Sequence, residues 1–361
     1  MATKEEARAA RDAKLDELHE RLTGAVETLV SGDDWARALS FAARFRSRSF
    51  NNTLLIWVQH EANYSAGRVS EPFPSFVAGY RQWQQLGRQV QKGQPGLQIF
   101  APVTGRFASS NPTDSDSWRR LERGEKPRPG EVVRSRMIAA RPAYVWDASQ
   151  TDGDPIPEPP SPKLLEGEAP AGLWDGLTAQ VGAAGFTVLR VPHEGMIHGA
   201  NGMTDWSART VAVRENMDHA AQVKTLAHEL GHVLLHDPDN EDAQHHRGIG
   251  EVEAESVALM VGAAHGMDTS GYTIPYVSSW AARVDGKEPV EVVKATGERV
   301  RKTSLGILNQ LDTAMLPDGT PPGLDREAPQ KAQPHRSSPS KPLEPAPHAA
   351  SSPSSGVVRG L

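Results

Sequence analysis

The chain has 361 residues, no cysteine and a formal charge of −6, a length that suits about two domains. Without cysteine there is neither a disulfide framework nor a thiolate zinc site, so any metal must be held by histidine and carboxylate. The charge is uneven: residues 34–150 hold 17 Lys and Arg against 9 Asp and Glu, and the remainder holds 22 against 36, which suggests a polyanion partner for the basic part. The first residues are charged rather than apolar, and no apolar run reaches the ~18 residues of a membrane span. A cytoplasmic protein without a membrane partner is therefore expected.

Residues 4–31 predict a helix, with Leu15, Leu18, Leu22, Val26 and Leu29 at helical spacing. A second helix is expected over Trp35–Arg46, running into Arg44–Asn52, where arginines alternate with aromatic and polar residues. A third, over Thr53–His60, is nearly all apolar and reads as core. Then a short helix should carry Tyr80 and Trp83, followed by a glycine turn and a hairpin whose strands contain Val90 and Leu97–Phe100. Aromatic rings beside Arg81, Arg88 and Lys92 are the ingredients of a single-strand nucleic-acid groove, although a Tyr and a Trp three apart are commonly core. Residues 105–136 read as a mobile basic insertion, a strand is expected at Ala143–Trp146, and Asp154–Lys163 has five prolines in ten residues.

Those prolines mark the domain boundary. The expected division is an N-terminal helix (1–33), a first domain (34–153), a Pro-rich linker (154–170), a second domain (171–316) and a disordered tail (317–361) rich in Pro, Ser and Ala. The second domain should open with a helix near Gly172–Ala184, a strand at Thr187–Val191 and a hairpin within Gly202–Arg214. Two further helices are expected about Val277–Val284 and Glu291–Leu311.

The stretch Lys224–His236 carries the chemistry. His228 and His232 are four apart, so on a helix they stand one turn above each other and can both reach one tetrahedral Zn²⁺. Glu229 lies at the rim of that face, placed to accept a proton from water. Leu226, Leu230, Val233 and Leu234 half-bury the helix. A metzincin-type third histidine is ruled out, because Leu235 and Pro238 stand where Gly and His would be needed. The third ligand is instead sought on the apolar segment Gly250–Val261, where Glu251 and Glu255 share a helical face and Glu253 points the other way. Glu251 is expected to ligate, and Glu255 to hold a histidine ring through its other nitrogen. One coordination place then stays open for water, as in catalytic zinc sites. His236 has the phase of the pair but lies one turn further along; Tyr272 and Tyr276 read as packing residues. A strand edge beside the metal would let an extended protein or peptide substrate add as a further strand.

Taken together, Ser49–Asn52, Gly79–Trp83 with Leu86–Gly93, Tyr144–Asp147 with Ser149–Gly153, and then Leu226–His232, Glu251–Ala258 and Tyr276–Trp280 resemble the antirestriction proteins of the ArdC type, whose second domain is related to ImmA/IrrE peptidases. The resemblance covers about residues 35–312. It implies an α+β fold, with an N-terminal α+β single-stranded-DNA-binding domain joined to a zincin-like metallopeptidase domain, and a role in protecting incoming mobile DNA from host restriction. It makes His228, His232 and Glu251 the ligands of one Zn²⁺ and Glu229 the base. It also adds Asn51 and Asn52 to Tyr80, Arg81, Trp83, Arg88 and Lys92 as candidate DNA contacts.

The expectation is a zinc metallopeptidase coupled to a single-stranded-DNA-binding module. One alternative is a DNA-coating protein with a non-catalytic zinc site. The other is an ImmA-like peptidase that cleaves a repressor partner.

Overall fold

Short polar residues start the N-terminal helices. Thr3 and Ser31 form capping boxes with Glu6 and Asp34 at the head of α1 (Lys4–Glu27) and α2 (Gly32–Arg44), and Ser49 caps α3 (Phe50–Ser65) through the Asn52 N–H. These are features of a computed structural model that describes residues 3–156, 167–239, 249–270, 272, 274–275, 277–282, 284, 286–322 and 324. The chain is α+β. Among the described residues no helix is long and apolar enough to cross a membrane.

After α3 the chain forms β1 (Val77–Ala78), α4 (Tyr80–Gln85), β2 (Arg88–Val90), β3 (Leu97–Ser109), β4 (Arg119–Arg120), β5 (Val132–Asp147) and β6 (Thr151–Gly153). One sheet has the order β1-β5-β3-β4 and another pairs β2 with β6. The expected hairpin between Val90 and Leu97–Phe100 is thus replaced: β2 pairs with residues 151–153 and β3 with β5. Local turn signals name a bend but not the partner across it. The basic stretch 105–136 is likewise ordered. Ser109 to Leu97 pair residue by residue with Val132 to Val145, with one irregularity at Val103/Thr104, so backbone pairing supplies what side-chain hydrophobicity lacks.

The second half comprises α5 (Leu173–Ala183), β7 (Thr187–Val191), β8 (Gly202–Asp205), β9 (Thr210–Arg214), α6 (His219–Leu235), α7 (Gly250–Ala264), α8 (Val277–Ala281) and α9 (Pro289–Leu308). Its sheet has the order β7-β9-β8, with β7 parallel and β8 antiparallel to β9, so β8 is an edge.

One apolar cluster runs through both halves: Leu22, Trp35, Leu39, Phe50 and Leu54 pack with Leu226, Leu230, Val257 and Val300. Trp35 reaches α7 directly, its indole N–H donating to Ser256 Oγ at 2.9 Å, and its ring meets Trp280 edge-on at 5.3 Å. Phe50 lies so close to Gly297 of α9 that no β-carbon fits between them. A smaller cluster of Phe41, Phe45, Ile56, Val77, Leu97, Ile99 and Val145 seals α2 and α3 against the sheet. Most of the proline-rich segment, residues 240–248 and the tail from 325 lie outside the described residues. Before that point the Val77 N–H donates to Gly319 O, tying residues just past 316 to β1.

Candidate metal centre

Asp218 caps α6 by accepting the Ala221 N–H at 2.7 Å, and Val223, Leu226, Leu230 and Val233 turn inward. His228 and His232 are left on the flank that meets α7. The two helices come very close at Gly231, where a β-carbon would sit 3.1 Å from Ala254 Cα. That contact brings Glu251, one turn earlier on α7, to the histidine pair.

His228 Nε2 and His232 Nε2 are 3.1 Å apart, and each is 3.4 Å from an oxygen of Glu251. Three donors around a tetrahedral zinc at 2.0–2.1 Å would be spaced about 3.3 Å from one another. The two imidazoles and the carboxylate therefore fit a single divalent cation.

Each imidazole is also held from behind. His228 Nδ1 lies 3.1 Å from Glu255 Oε2, and the other oxygen of Glu255 receives Lys224 Nζ at 2.9 Å. His232 Nδ1 is 3.0 Å from His236 Nδ1, and His236 Nε2 is 3.0 Å from Glu253 Oε2. Glu253 is fully buried and meets Arg299 of α9 at 3.2 Å. One set of tautomers satisfies the whole row: His232 donates through Nδ1, His236 accepts through Nδ1 and donates through Nε2, and Glu253 accepts. That assignment leaves His232 Nε2 as a lone pair facing the cation position. A carboxylate thus orients each imidazole of the pair, directly for His228 and through a second imidazole for His232.

Sequence reasoning gave Glu253 no task and His236 only a marginal one. The i+4 step from His232 to His236, which continues one helical face, was visible in the sequence, but nothing local marked Glu253 as the partner of His236.

Burial disfavours charge on His228, but its bonds to Glu251 and Glu255 outweigh that and raise its pKa to about 9. The same contacts, to His228 and then His232, hold Glu251 far below the ordinary carboxylate range. Burial works against the charge on Glu255 too, yet His228 and Lys224 still bring its pKa down. Burial pushes the Tyr272 phenol well up; its O–H donates to Ala258 O at 3.2 Å and its ring underlies Lys224 at 3.9 Å. Tyr276 and the pair His245–His246 lie outside the described residues.

Glu229 is buried beside the pair, and Thr204 Oγ1 donates to its Oε2 at 2.6 Å. Thr204 belongs to the edge strand β8. Two residues earlier, a β-carbon on Gly202 would lie 2.7 Å from Glu229 Oε1 and 2.5 Å from Thr225 Cγ2; only glycine leaves room for the carboxylate. Edge strand, acid and histidines line one cleft of about 1210 Å³ that also includes Trp206, Lys224 and Asp268.

The candidate nucleic-acid residues divide. Tyr80 is 41% exposed, and Arg81 and Lys92 face solvent. Trp83 is wholly buried and donates its indole N–H to Trp146 O at 3.0 Å, so it offers no ring face to a base. Arg88 is used up in joining β2 to β6, through Thr151 Oγ1 at 2.9 Å and Thr151 O at 2.7 Å. Asn52 exchanges two 2.9 Å hydrogen bonds with the backbone of Phe100, docking α3 on β3. Asn51 lies in the first turn of α3 with its side-chain oxygen enclosed. The rings that do accompany Tyr80 are Trp146, 6.0 Å away, and Tyr144, 6.5 Å beyond it and 44% exposed. They lie two positions apart on β5 and so share a face; the strand expected over Ala143–Trp146 already implied as much.

Residues 14–146 match the family model described as the N-terminal domain of anti-restriction factor ArdC, and residues 186–273 match the IrrE N-terminal-like domain. The first part of the chain is thus similar to the N-terminal domain of ArdC, and the second part to IrrE-like domains. The ArdC-type N-terminal domain ends on β5, and the IrrE-like match contains the metal centre. A similar curated protein is an uncharacterized one from Bacillus anthracis, 24% identical over 310 residues. The match takes in 81% of this chain but only 50% of that protein, so the chain spans about half the length of its curated relative. Crystal structures of the antirestriction ArdC protein from the R388 plasmid, metal-free and Mn(II)-bound, align at 17% and 18% identity. They cover 73% of this chain in each case and 84% and 88% of the plasmid protein, with TM-scores of 0.43 and 0.41.

Proposed function

We propose that this chain is an ArdC-type protein, a zinc-dependent peptidase that also binds single-stranded DNA and protects incoming mobile DNA from restriction. The observation that carries the peptidase half is the convergence of His228, His232 and Glu251 beside a buried Glu229 that hydrogen-bonds to an edge strand. Zn²⁺ held by those three side chains would supply a Lewis acid that polarises a carbonyl and acidifies water.

The protein's own part is positioning and proton transfer. Thr204 occupies one oxygen of Glu229 and fixes the carboxylate's rotation, leaving the other oxygen to take a proton from water and return it to the leaving amine. Glu255, and Glu253 through His236, lock the two imidazoles in the tautomers that turn Nε2 toward the cation. The free edge of β8 offers backbone N–H and C=O groups to an extended peptide laid along the cleft. In the other half, Tyr80, Tyr144 and Trp146 supply stacking surface, and Arg81 and Lys92 supply cations for the phosphates of a single strand.

Glu229→Gln preserves shape and removes the base. The variant should bind one Zn²⁺ per chain by metal analysis yet lose cleavage of a fluorogenic peptide library, and retained cleavage would refute the role of Glu229. A second reading, protection by coating DNA with a non-catalytic zinc site, is favoured by the fact that the aromatic patch shares no residue with the cleft. Under it, Glu229→Gln leaves protection of a single strand from a nuclease intact; under proteolytic protection that effect disappears in the cell.

A further inference from the structure

The distal half of the β3–β5 ribbon carries a charged face that neither reading uses. In its register Phe107 stands opposite both Arg134 and Arg120, and Gly105 opposite Arg136. Residues directly opposite on antiparallel strands share a face, so three arginines gather on one side around Phe107. The guanidinium groups of Arg134 and Arg136 lie over the Trp118 ring at 5.0 and 4.8 Å, and Arg136 is also 5.7 Å from the ring of Phe107. Among the described residues, Arg120, Arg134 and Arg136 have no carboxylate within ion-pair distance. Nearby Arg119 takes up two acids of the arm instead, meeting Glu125 at 2.5 Å and Glu131 at 2.8 Å. The cluster is separate from the aromatic patch. Tyr144 stands opposite Gln98, an odd number of positions along β3 from Gly105 and Phe107, and so on the other face of the ribbon.

We propose that this face binds the phosphate backbone of double-stranded nucleic acid. The rings of Trp118 and Phe107 already stack with arginine, so they serve here to hold cations more than to take an unpaired base. Stacking instead holds planar N–H forks in place, a geometry that matches phosphate oxygens in bidentate fashion. A duplex, with one phosphate per about 1.7 Å of axis, is the polyanion on which three uncompensated cations gain most.

The test is fluorescence anisotropy on the full chain across a salt series, with a blunt 20-base-pair duplex and a 20-nucleotide single strand as probes. Replacing Arg120, Arg134 and Arg136 together with Gln should weaken duplex binding at least 10-fold and flatten its log–log salt slope by about 2.7, at roughly 0.9 per lost phosphate contact. Single-strand affinity should be unchanged. The paired variant Tyr80→Ala/Tyr144→Ala should do the reverse, which separates this proposal from the single-strand reading. All five positions are exposed, so far-UV circular dichroism should match the parent, and the triple Lys variant should restore the slope. The proposal is overturned if the parent does not bind the duplex, if the triple Gln variant keeps its duplex slope, or if it loses both probes equally. A poly-glutamate peptide that competes as well as the duplex would also overturn it, in favour of an acidic protein partner.

Discussion

His228 and His232 each turn one ring nitrogen toward the cation position and the other toward a carboxylate, direct in one case and relayed through His236 in the other. In the metal-free protein this arrangement is an ion cluster with a definite pH window. The His228 pKa, raised to about 9 from 6.5, means that its contribution to stability is whole below about 6.5 and is lost as the pH climbs through about 9. Glu251 and Glu255 are lowered from 4.5, so their share is present above that value and fades as the pH falls below it. A cation at the site takes the place of the His228 proton. The melting temperature of chelator-treated protein should therefore drop between pH 7 and 10, while zinc-saturated protein shows no such drop; parallel curves for the two would contradict this cluster. The H-E-x-x-H spacing was legible because helical geometry converts a four-residue interval into adjacency. Glu253 was not, since its burial against Arg299 depends on where α9 lies.

The element that decides the site is the crossing of α6 and α7. Gly231 lets the helices approach until Ala254 lies against its backbone, and Glu251 reaches the histidines only at that separation. Gly231→Val should force the helices apart and lower zinc affinity by about 10–100-fold, the range typical of disturbed ligand support. A chelator competition would measure the loss, with circular dichroism showing the helices retained; wild-type affinity would mean that this contact does not set the ligand spacing. The helices α1, α5 and α6, and the strands β7 and β9, were readable from apolar period and capping residues. The pairing of β2 with β6 and the long β3–β5 ribbon were not, because partners 23 to 65 residues apart leave no local mark in the chain. For the same reason Trp83, Arg88 and Asn52 resembled ligand-binding residues while serving as joints between elements.

At the scale of the molecule, α2 and α3 pack on α7 and α9 in one continuous core, so the metal centre rests partly on the ArdC-type half. Phe50 fills the space left by Gly297, and Glu298 accepts the Phe50 N–H at 2.9 Å. Phe50→Ala should cost about 3–5 kcal/mol. In denaturant, the Co²⁺ absorption of the substituted metal site and the far-UV signal should then shift together to a lower midpoint. A metal-site transition left in place while the helical signal moves would show that the halves unfold independently.

The sequence by itself determined the chemistry available: two imidazoles a helical turn apart, an adjacent acid, a short list of candidate third ligands, and a basic first half facing an acidic remainder. Those properties follow from short-range geometry and composition. Only the tertiary structure decided which carboxylate meets the histidines, which aromatic and basic residues stay open to solvent, and that one core spans the proline-rich stretch. Each of these depends on contacts between segments far apart along the chain.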